Sequence, residues 1–384
     1  MIYLDNAATT PVLPAALEAA WPWLTSEFGN PSSTHELGLR AHTALENARS
    51  QIASWLDCPA SDMVFTSGGT EGDNLAITGL ALANPRGKHI ITAPTEHEAV
   101  LATVNYLERV HGFEISLLSV DEFGNISLPE LHNTLRPDTT LVTLMLANNE
   151  IGTVHPMPEI ITAAHAVGAL VHTDAVQAAG WFDLHMGKNG SVVAGVDALT
   201  LSGHKLGAPK GSGVTAIRGR LAVEPVLHGG GQEFDRRSGT ENVAWAVALA
   251  TAVTALADPQ HESSRISALR DDFIAEVVDT IPQAALTGNS TERHPAIASF
   301  TFAGLNGETL LLELEQRGVI VSSGSACAAG SDEPSHVLLA CGIDADIAQT
   351  SVRFSMSHST TVEELATAQK ALSKAVAAVS GLGQ

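Results

Sequence analysis

Short apolar runs bounded by polar or glycine positions recur along the first part of the chain. Met63–Thr66, His89–Ala93, Glu114–Leu118, Leu141–Ala147, Ala169–Thr173, Ala198–Leu201 and Gly213–Ile217 read as strands. Asn74–Ala83, Glu98–Val110 and Pro158–Val167 lie between them with helical spacing. Buried strand-like runs alternating with helices predict an α/β fold with a mainly parallel seven-stranded sheet covered on both faces. Downstream of Thr240 the pattern changes. Val243–Leu256 and Ser264–Asp279 read as long helices, followed by strands at Ile297–Phe302, Val319–Val321 and Ser351–Ser355 and helices at Glu308–Gln316 and Val362–Val379. This predicts a smaller α+β domain beyond a boundary near residue 260. No Ser/Gly-rich linker marks that boundary, so a long helix is expected to bridge the two domains.

The 384 residues, 45% hydrophobic and 16% charged, suit two globular domains and carry no solenoid-length repeat. A formal net charge of −22, from 42 acidic and 20 basic residues, disfavours direct contact with nucleic acid or an anionic membrane. It also makes the six lysines informative, because one set in an apolar, glycine-bounded stretch needs a reason. Three cysteines, Cys58, Cys327 and Cys341, form neither a disulfide framework nor a zinc-site spacing. MIYLDNAATTP lacks a basic-then-apolar leader, and no apolar run is unbroken for the length of a bilayer span. The expectation is a cytoplasmic protein with no membrane contact and no resident metal.

In an open α/β sheet, ligands bind beyond the carboxyl ends of the strands. After the first strand of the sheet, Ser67-Gly68-Gly69-Thr70 opens a helix, where free N–H groups attract phosphate; alone it is equally a capped glycine turn. After the fifth stand Asp174 and, one turn on, Gln177. Asp174 fits a helix cap, or a carboxylate beside a protonated pyridine nitrogen. After the sixth comes Ser202-Gly203-His204-Lys205, where small neighbours let the backbone close around a bulky group and desolvation frees the amine as a nucleophile. A surface lysine in a glycine-rich loop describes Lys210 better than Lys205. The combination of lysine, aspartate and Gly-Thr turn points to an aldehyde cofactor bearing a phosphate.

Cys58 and Cys341 read as small buried hydrophobes. Cys327, within Ser322-Ser323-Gly324-Ser325-Ala326-Cys327-Ala328-Ala329-Gly330, has no apolar packing partner, and is expected to be an exposed, reactive thiol. Arg353, in the alternating Ser351–Ser355 run, suits either a carboxylate clamp or a structural ion pair.

These residues resemble the cysteine desulfurases (NifS/IscS-like) of the class V aminotransferases, within fold type I of the pyridoxal-phosphate enzymes. The likeness runs from Tyr3-Leu4-Asp5-Asn6-Ala7-Ala8-Thr9-Thr10-Pro11 through Phe28-Gly29-Asn30-Pro31-Ser32-Ser33 to Ser351–Ser355. It implies a large cofactor domain over residues 12–260, and a small α+β domain, from residues 1–11 and 261–384, that carries the cysteine loop. Ser202-Gly203-His204-Lys205 is similar to the family's cofactor-lysine motif, which makes Lys205 the Schiff-base residue for pyridoxal 5'-phosphate. Thr95-Glu96-His97 resembles its TEH motif, whose histidine stacks on the ring and moves protons. Asn148-Asn149-Glu150-Ile151-Gly152 resembles NNEIG, placing Asn149 by cofactor and substrate. Asp174 and Gln177 fall at the ring-nitrogen and ring-hydroxyl positions, and Gly69, Thr70, Ser202 and His204 at the phosphate. Gly203 belongs to the same cofactor motif.

Arg237-Ser238-Gly239-Thr240 resembles RSGT, implying a homodimer in which Thr240 reaches the neighbouring phosphate. Ser322–Cys327 resembles SSGSAC, making Cys327 the persulfide nucleophile and Arg353 the carboxylate clamp. Three departures stand out. Gln232 replaces the usual histidine after Gly-Gly-Gly, the Cys327–Leu338 spacing matches the long-loop branch, and the end at Gly381-Leu382-Gly383-Gln384 is shorter than the scaffold-binding tail of some members. The resemblance implies removal of sulfur from L-cysteine, giving L-alanine and a persulfide on Cys327. That sulfur would pass to an iron–sulfur scaffold or a sulfurtransferase, for cluster assembly or tRNA thiolation. Transient cluster ligation through Cys327 and a partner is the one metal contact implied. Two rivals remain: an aminotransferase or selenocysteine/sulfinate lyase independent of Cys327, and a non-catalytic partner that keeps the cofactor for folding.

Overall fold

A computed structural model describes residues 1–256, 258–323 and 333–382. Strand β1 (Ile2–Tyr3) and helices α1 (Pro14–Thr25) and α2 (Glu36–Trp55) come first. Strands and helices then alternate: β2 (Met63–Thr66), α3 (Gly69–Ala83), β3 (His89–Thr92), α4 (Glu98–His111), β4 (Glu114–Leu117), α5 (Leu128–Thr134), β5 (Thr139–Thr143), α6 (Met157–Val167), β6 (Leu170–Asp174), β7 (Ala198–Ser202) and β8 (Gly213–Ile217). Next are α7 (Val243–Thr254), α8 (Pro259–Thr280), β9 (Ala284–Leu286), β10 (Ile297–Phe302), α9 (Gly307–Gln316), β11 (Val319–Ile320), α10 (His336–Ala340), α11 (Ala345–Ala348), β12 (Val352–Ser355) and α12 (Val362–Leu382).

Strands β2 to β8 form the expected seven-stranded sheet, in the order β2-β8-β7-β6-β5-β3-β4. Strand β8 runs antiparallel to β2 and β7, and all the other pairs are parallel. Six strands therefore point their carboxyl ends to one edge. Side-chain alternation divides each strand between two cores. Met63, Ile91, Val142 and Leu199 enter the core shared with α1, α2, α6 and α7, whereas Val64, Ile90, Leu141 and Ala198 enter the one under α3 and α4. Helix ends set the exits: α4 stops at Gly112 (φ +69°) and α6 at Gly168 (φ +80°), in the left-handed region that glycine tolerates.

A separate core gathers Leu4 with Ile266, Phe273, Phe300, Phe302, Phe354 and residues of α9 and α12. Strand β10 lies between β9 and β12, and the first strand, β1, pairs in parallel with β11. The opening residues therefore belong structurally with the last part of the chain. Among the described residues no single helix is long and apolar enough to cross a membrane.

Two expectations about elements change. The apolar run 141–147 leaves the regular strand at Thr143, although Leu144 and Leu146 still donate backbone hydrogen bonds to His172 and Asp174. Nor does one long helix run across the boundary: α7 ends at Thr254 and α8 starts at Pro259. Asp258 precedes Pro259, a position that disfavours helical backbone, and its carboxylate instead caps α8 by accepting from Gln260 N at 3.0 Å.

One anchor on the sheet's rim is electrostatic. Arg49 of α2 donates to both oxygens of Glu233 at 2.7 and 2.9 Å and lies between the rings of Phe65 and Phe234, 4.9 and 5.0 Å from their centroids. The pair pins Glu233, Phe234 and Asp235, three consecutive non-glycine residues with φ of +50°, +59° and +64°. Both side chains are 2% exposed. Removing one partner of such a buried pair costs about 3–5 kcal/mol, whereas replacing both with apolar groups costs far less. Glu233→Ala is therefore expected to lower the urea-unfolding midpoint markedly, and the Arg49→Met/Glu233→Leu double variant to recover most of the loss. Equal midpoints for wild type and Glu233→Ala would show that the pair does not hold this turn.

Candidate active site

The carboxyl ends of the sheet open on a cleft of about 280 Å³. Gly69, Thr70, Ser202 and His204 line it together with Lys205, and so do His97, Asn149, Asp174, Gln177 and Arg353. Ten of the residues singled out in the sequence thus meet in one place.

Helix α3 begins at Gly69, directly after Gly68 with φ +153°. A Cβ on Gly69 would come within 2.9 Å of Val176 Cγ2, so the small residue keeps the helix start close to the end of β6. The first-turn N–H groups of α3, the Thr70 and Ser202 hydroxyls and the neutral His204 ring form a neutral donor set suited to an anion. Burial, and then the charges of Lys205 and Lys210, push the His204 pKa down to about 4. His204 also ties to the N-terminal segment, through Thr9 Oγ1 at 3.2 Å and through its carbonyl, which accepts from Thr10 N at 2.9 Å.

Asp174 ends β6, with Oδ1 accepting from Val176 N at 2.8 Å. Burial raises its pKa, while His97 and Lys205 pull it back down. A cation near its free face would therefore be well accommodated. His97 caps α4: its Nδ1 accepts from Ala99 N at 3.1 Å, which places the ring proton on Nε2. Lys205 Nζ donates to the carbonyls of Ala7 and, at 3.0 Å, Ala8. Gln177 Nε2 donates to Ala7 O at 2.9 Å, while the backbone carbonyl of Gln177 accepts from His294 Nε2 at 2.7 Å.

Arg353 of β12 is 2% exposed and enters the cleft from the second core. One terminal nitrogen donates to Asn149 O and the other to Asp5 Oδ1, each at 2.9 Å. Its Nε is buried and has no hydrogen-bond partner among the described residues, so the guanidinium is incompletely satisfied.

Three residues stand apart. Gly203 lies behind the cleft wall, where a Cβ would collide with Ser212, so its part is to let the end of β7 pack against the strand opening at Gly213. Thr240 is exposed and lines a different hollow of about 270 Å³, with Arg237 and Trp245. Cys327 lies outside the described residues, but their two edges are held at the cleft wall. Ser322 exchanges backbone hydrogen bonds with Arg353, while Ser335 donates to Glu150 and His336 Nε2 lies 3.0 Å from Glu96 O. Burial pushes Cys58 and Cys341 up to about 12, leaving both inert as thiolates. Gln232, the departure from the usual histidine, accepts from Gly239 N at 2.8 Å and so closes the loop that carries Arg237 and Thr240.

Asp73 also lines the cleft, the buried Glu96 and Glu150 adjoin His97 and Asn149 in the chain, and sequence reasoning passed over all three side chains. Asp73 could have been found: it follows Gly69 by four positions, so it shares the helix face that looks into the cleft. Glu96 and Glu150 gave no such signal, because their burial depends on long-range packing.

Residues 2–367 match the family described as aminotransferase class-V. The chain is 43% identical over 366 residues to a cysteine desulfurase IscS of Dictyoglomus turgidum, covering 95% of this chain and 91% of that protein. It is 44% identical over 365 residues to a cysteine desulfurase IscS of Methanosarcina thermophila, covering 95% and 89%. Among solved structures, a NifS-like protein superposes with a TM-score of 0.88 at 34% identity, over 97% of this chain and 98% of that one. The structure titled SspA in complex with cysteine superposes with a TM-score of 0.80, also at 34% identity, over 93% and 99%.

His294, which fixes Gln177, is buried, and its pKa falls to about 3 from an ordinary 6.5, mainly through burial. The unfolded chain takes up a proton below pH 6.5 that the folded chain refuses. This contribution to stability is complete above that pH and shrinks as pH falls toward about 3. His294→Gln is expected to lessen the fall in thermal midpoint between about pH 7 and pH 5. An equal fall in both proteins would count against a neutral His294.

Proposed function

The chain belongs to the class-V aminotransferase family and is a cysteine desulfurase, and on that premise we propose how its residues divide the work. The observation that carries this reading is the convergence of Lys205, Asp174 and the incompletely partnered Arg353 in one cleft. Pyridoxal 5'-phosphate fits that donor set. The α3 start with Thr70, Ser202 and His204 would hold the phosphate, Asp174 the ring nitrogen, Gln177 the ring hydroxyl and Lys205 the aldehyde carbon, with His97 against the ring. When bound, the cofactor supplies an electron sink for bond breaking beside the amino-acid Cα.

Arg353 and Asn149 fix the carboxylate of L-cysteine, which orients its sulfur. Lys205 and His97 Nε2 carry protons to and from the substrate carbons, while Asp174 keeps a proton on the ring nitrogen. The Cys327 thiolate attacks the substrate sulfur: an S–S bond forms, the substrate C–S bond breaks, and the carbon left behind takes a proton. L-cysteine and the Cys327 thiol thus become L-alanine and a Cys327 persulfide, balanced without an outside oxidant or reductant. The SSGSAC motif and the attachment of Ser322 and Ser335 at the cleft support Cys327 in this role.

Thr240, exposed and turned from its own cleft, suits a homodimer in which it serves the neighbour's phosphate. The persulfide is proposed to pass, in the cytoplasm, to an iron–sulfur scaffold or a dedicated sulfurtransferase.

Cys327→Ser is expected to keep the cofactor's visible absorbance yet release sulfide from L-cysteine at least about a hundredfold more slowly, with no persulfide trapped by alkylation. Sulfide release at the wild-type rate would sink the role of Cys327 and favour a lyase that attacks without it. Lys205→Ala should lose the covalently held cofactor, as read by borohydride reduction and mass analysis.

A further inference from the structure

Behind Asp174 the sheet buries a polar chain for which the reaction described above has no use. Residues two apart on a strand share a face, so His172 lies beside Asp174 on β6. His172 is fully buried, with Nδ1 2.8 Å from Thr143 Oγ1 on β5 and Nε2 3.1 Å from Thr200 Oγ1 on β7. Thr200 also bonds Asp73 of α3, whose Oδ1 lies 3.6 Å from His172 Nε2 and has no hydrogen-bond partner among the described residues. Asp73 is 1% exposed and reaches the cleft wall.

The charged and titratable groups around Asp73 are unfavourable to a second anion. From β6 it meets Asp174 and His172, and from the segment before α4 it feels Glu96, buried with an unpartnered Oε2. His97 and Lys205 act on Asp174, lowering its pKa. No arginine or lysine pairs with Asp73 among the described residues, and Thr200 supplies a neutral dipole. His172 brings no countercharge, because burial holds it neutral with a pKa of about 3. Burial and Asp174 both raise the Asp73 pKa well above the carboxylate range. A carboxylate here would leave one oxygen bare and repel Asp174, whereas a carboxylic acid has a proton to give to Thr200 or His172.

We propose that Asp73 is a positioning residue for Asp174: carried as a neutral acid in the Thr143–His172–Thr200 chain, it braces Asp174 without adding a second negative charge at the ring-nitrogen end of the cleft. The proposal rests on the reading that Asp174 faces the ring nitrogen.

The test uses holoenzyme variants and follows the cofactor's absorbance as a function of pH, because a nearby negative charge raises the midpoint of that titration. Asp73→Asn, neutral and of the same shape, is expected to leave the midpoint within about 0.3 unit of wild type. Asp73→Ala, which breaks the chain, should move the midpoint and loosen cofactor retention, with Asn at that position restoring both. The infrared carbonyl stretch of a protonated carboxylic acid should be present at neutral pH in wild type and lost in Asp73→Asn, a reading that stands even if the alanine variant does not fold. A fall of about one unit or more in Asp73→Asn would mean that Asp73 is charged and overturn the proposal. So would an Asp73→Ala protein with wild-type midpoint and retention. Asp174→Asn is the control. It should lower the midpoint, and an unmoved value there would instead overturn the placement of Asp174 at the ring nitrogen.

Discussion

The structure depends on a seam made by residues 4–10. Leu4 is buried in the second core, Asn6 Nδ2 donates to Ser355 O at 2.9 Å, and Ser355 Oγ accepts from Ala7 N at 2.8 Å. From the same short segment, the carbonyls of Ala7 and Ala8 hold Lys205, and Thr9 and Thr10 bond His204. These seven residues connect the end of β12 to the end of β7, so the cleft has its shape only when both parts of the chain are folded. Much of this contact is backbone hydrogen bonding with defined geometry, which suits a surface that must place an amine and a guanidinium in fixed positions.

Strands with one side chain for each face were legible in the sequence because alternation and burial agree along them. Gly213–Ile217 and Ile297–Phe302 have the bounds their apolar runs suggest. Helices α1 and α2 were not legible. In α2 the buried face is built of Ala41, Leu45, Ala48 and Ile52 together with Arg49, whose charge interrupts the apolar stripe because its partner, Glu233, lies 184 residues away. In α1 the apolar signal points the wrong way: Leu17, Trp21 and Leu24 are exposed, while the buried positions are Ala16 and Ala20. Periodicity finds a helix when size and burial coincide, and here they do not.

The site divides along the same line. Lys205, Asp174 and Gly69–Thr70 stand at or just beyond strand ends, so topology alone brought them to one edge. His97 and Asn149 needed the family motif, since nothing in their immediate neighbours distinguishes them from other polar residues in loops. The buried acids behind the wall were invisible for a different reason: a carboxyl without a nearby cation normally signals solvent exposure. Asp73 and Glu96 lie in the interior instead, and local composition gives no hint of it.

Arg353 holds Asp5 through the same guanidinium that is proposed to receive the substrate. An internal carboxylate tethered within a few ångströms competes at an effective concentration that no free ligand matches. On the proposed reading, an incoming amino acid would gain at Arg353 only the difference between its own carboxylate and one already in place. Affinity at that position would then be modest, and small stray anions would gain little by entering. The remaining attraction must come from groups that Asp5 cannot imitate, namely the amine and the thiol. On that reading Asp5 would act as a decoy for the least distinctive part of an amino acid, and selectivity would shift to the atoms that react.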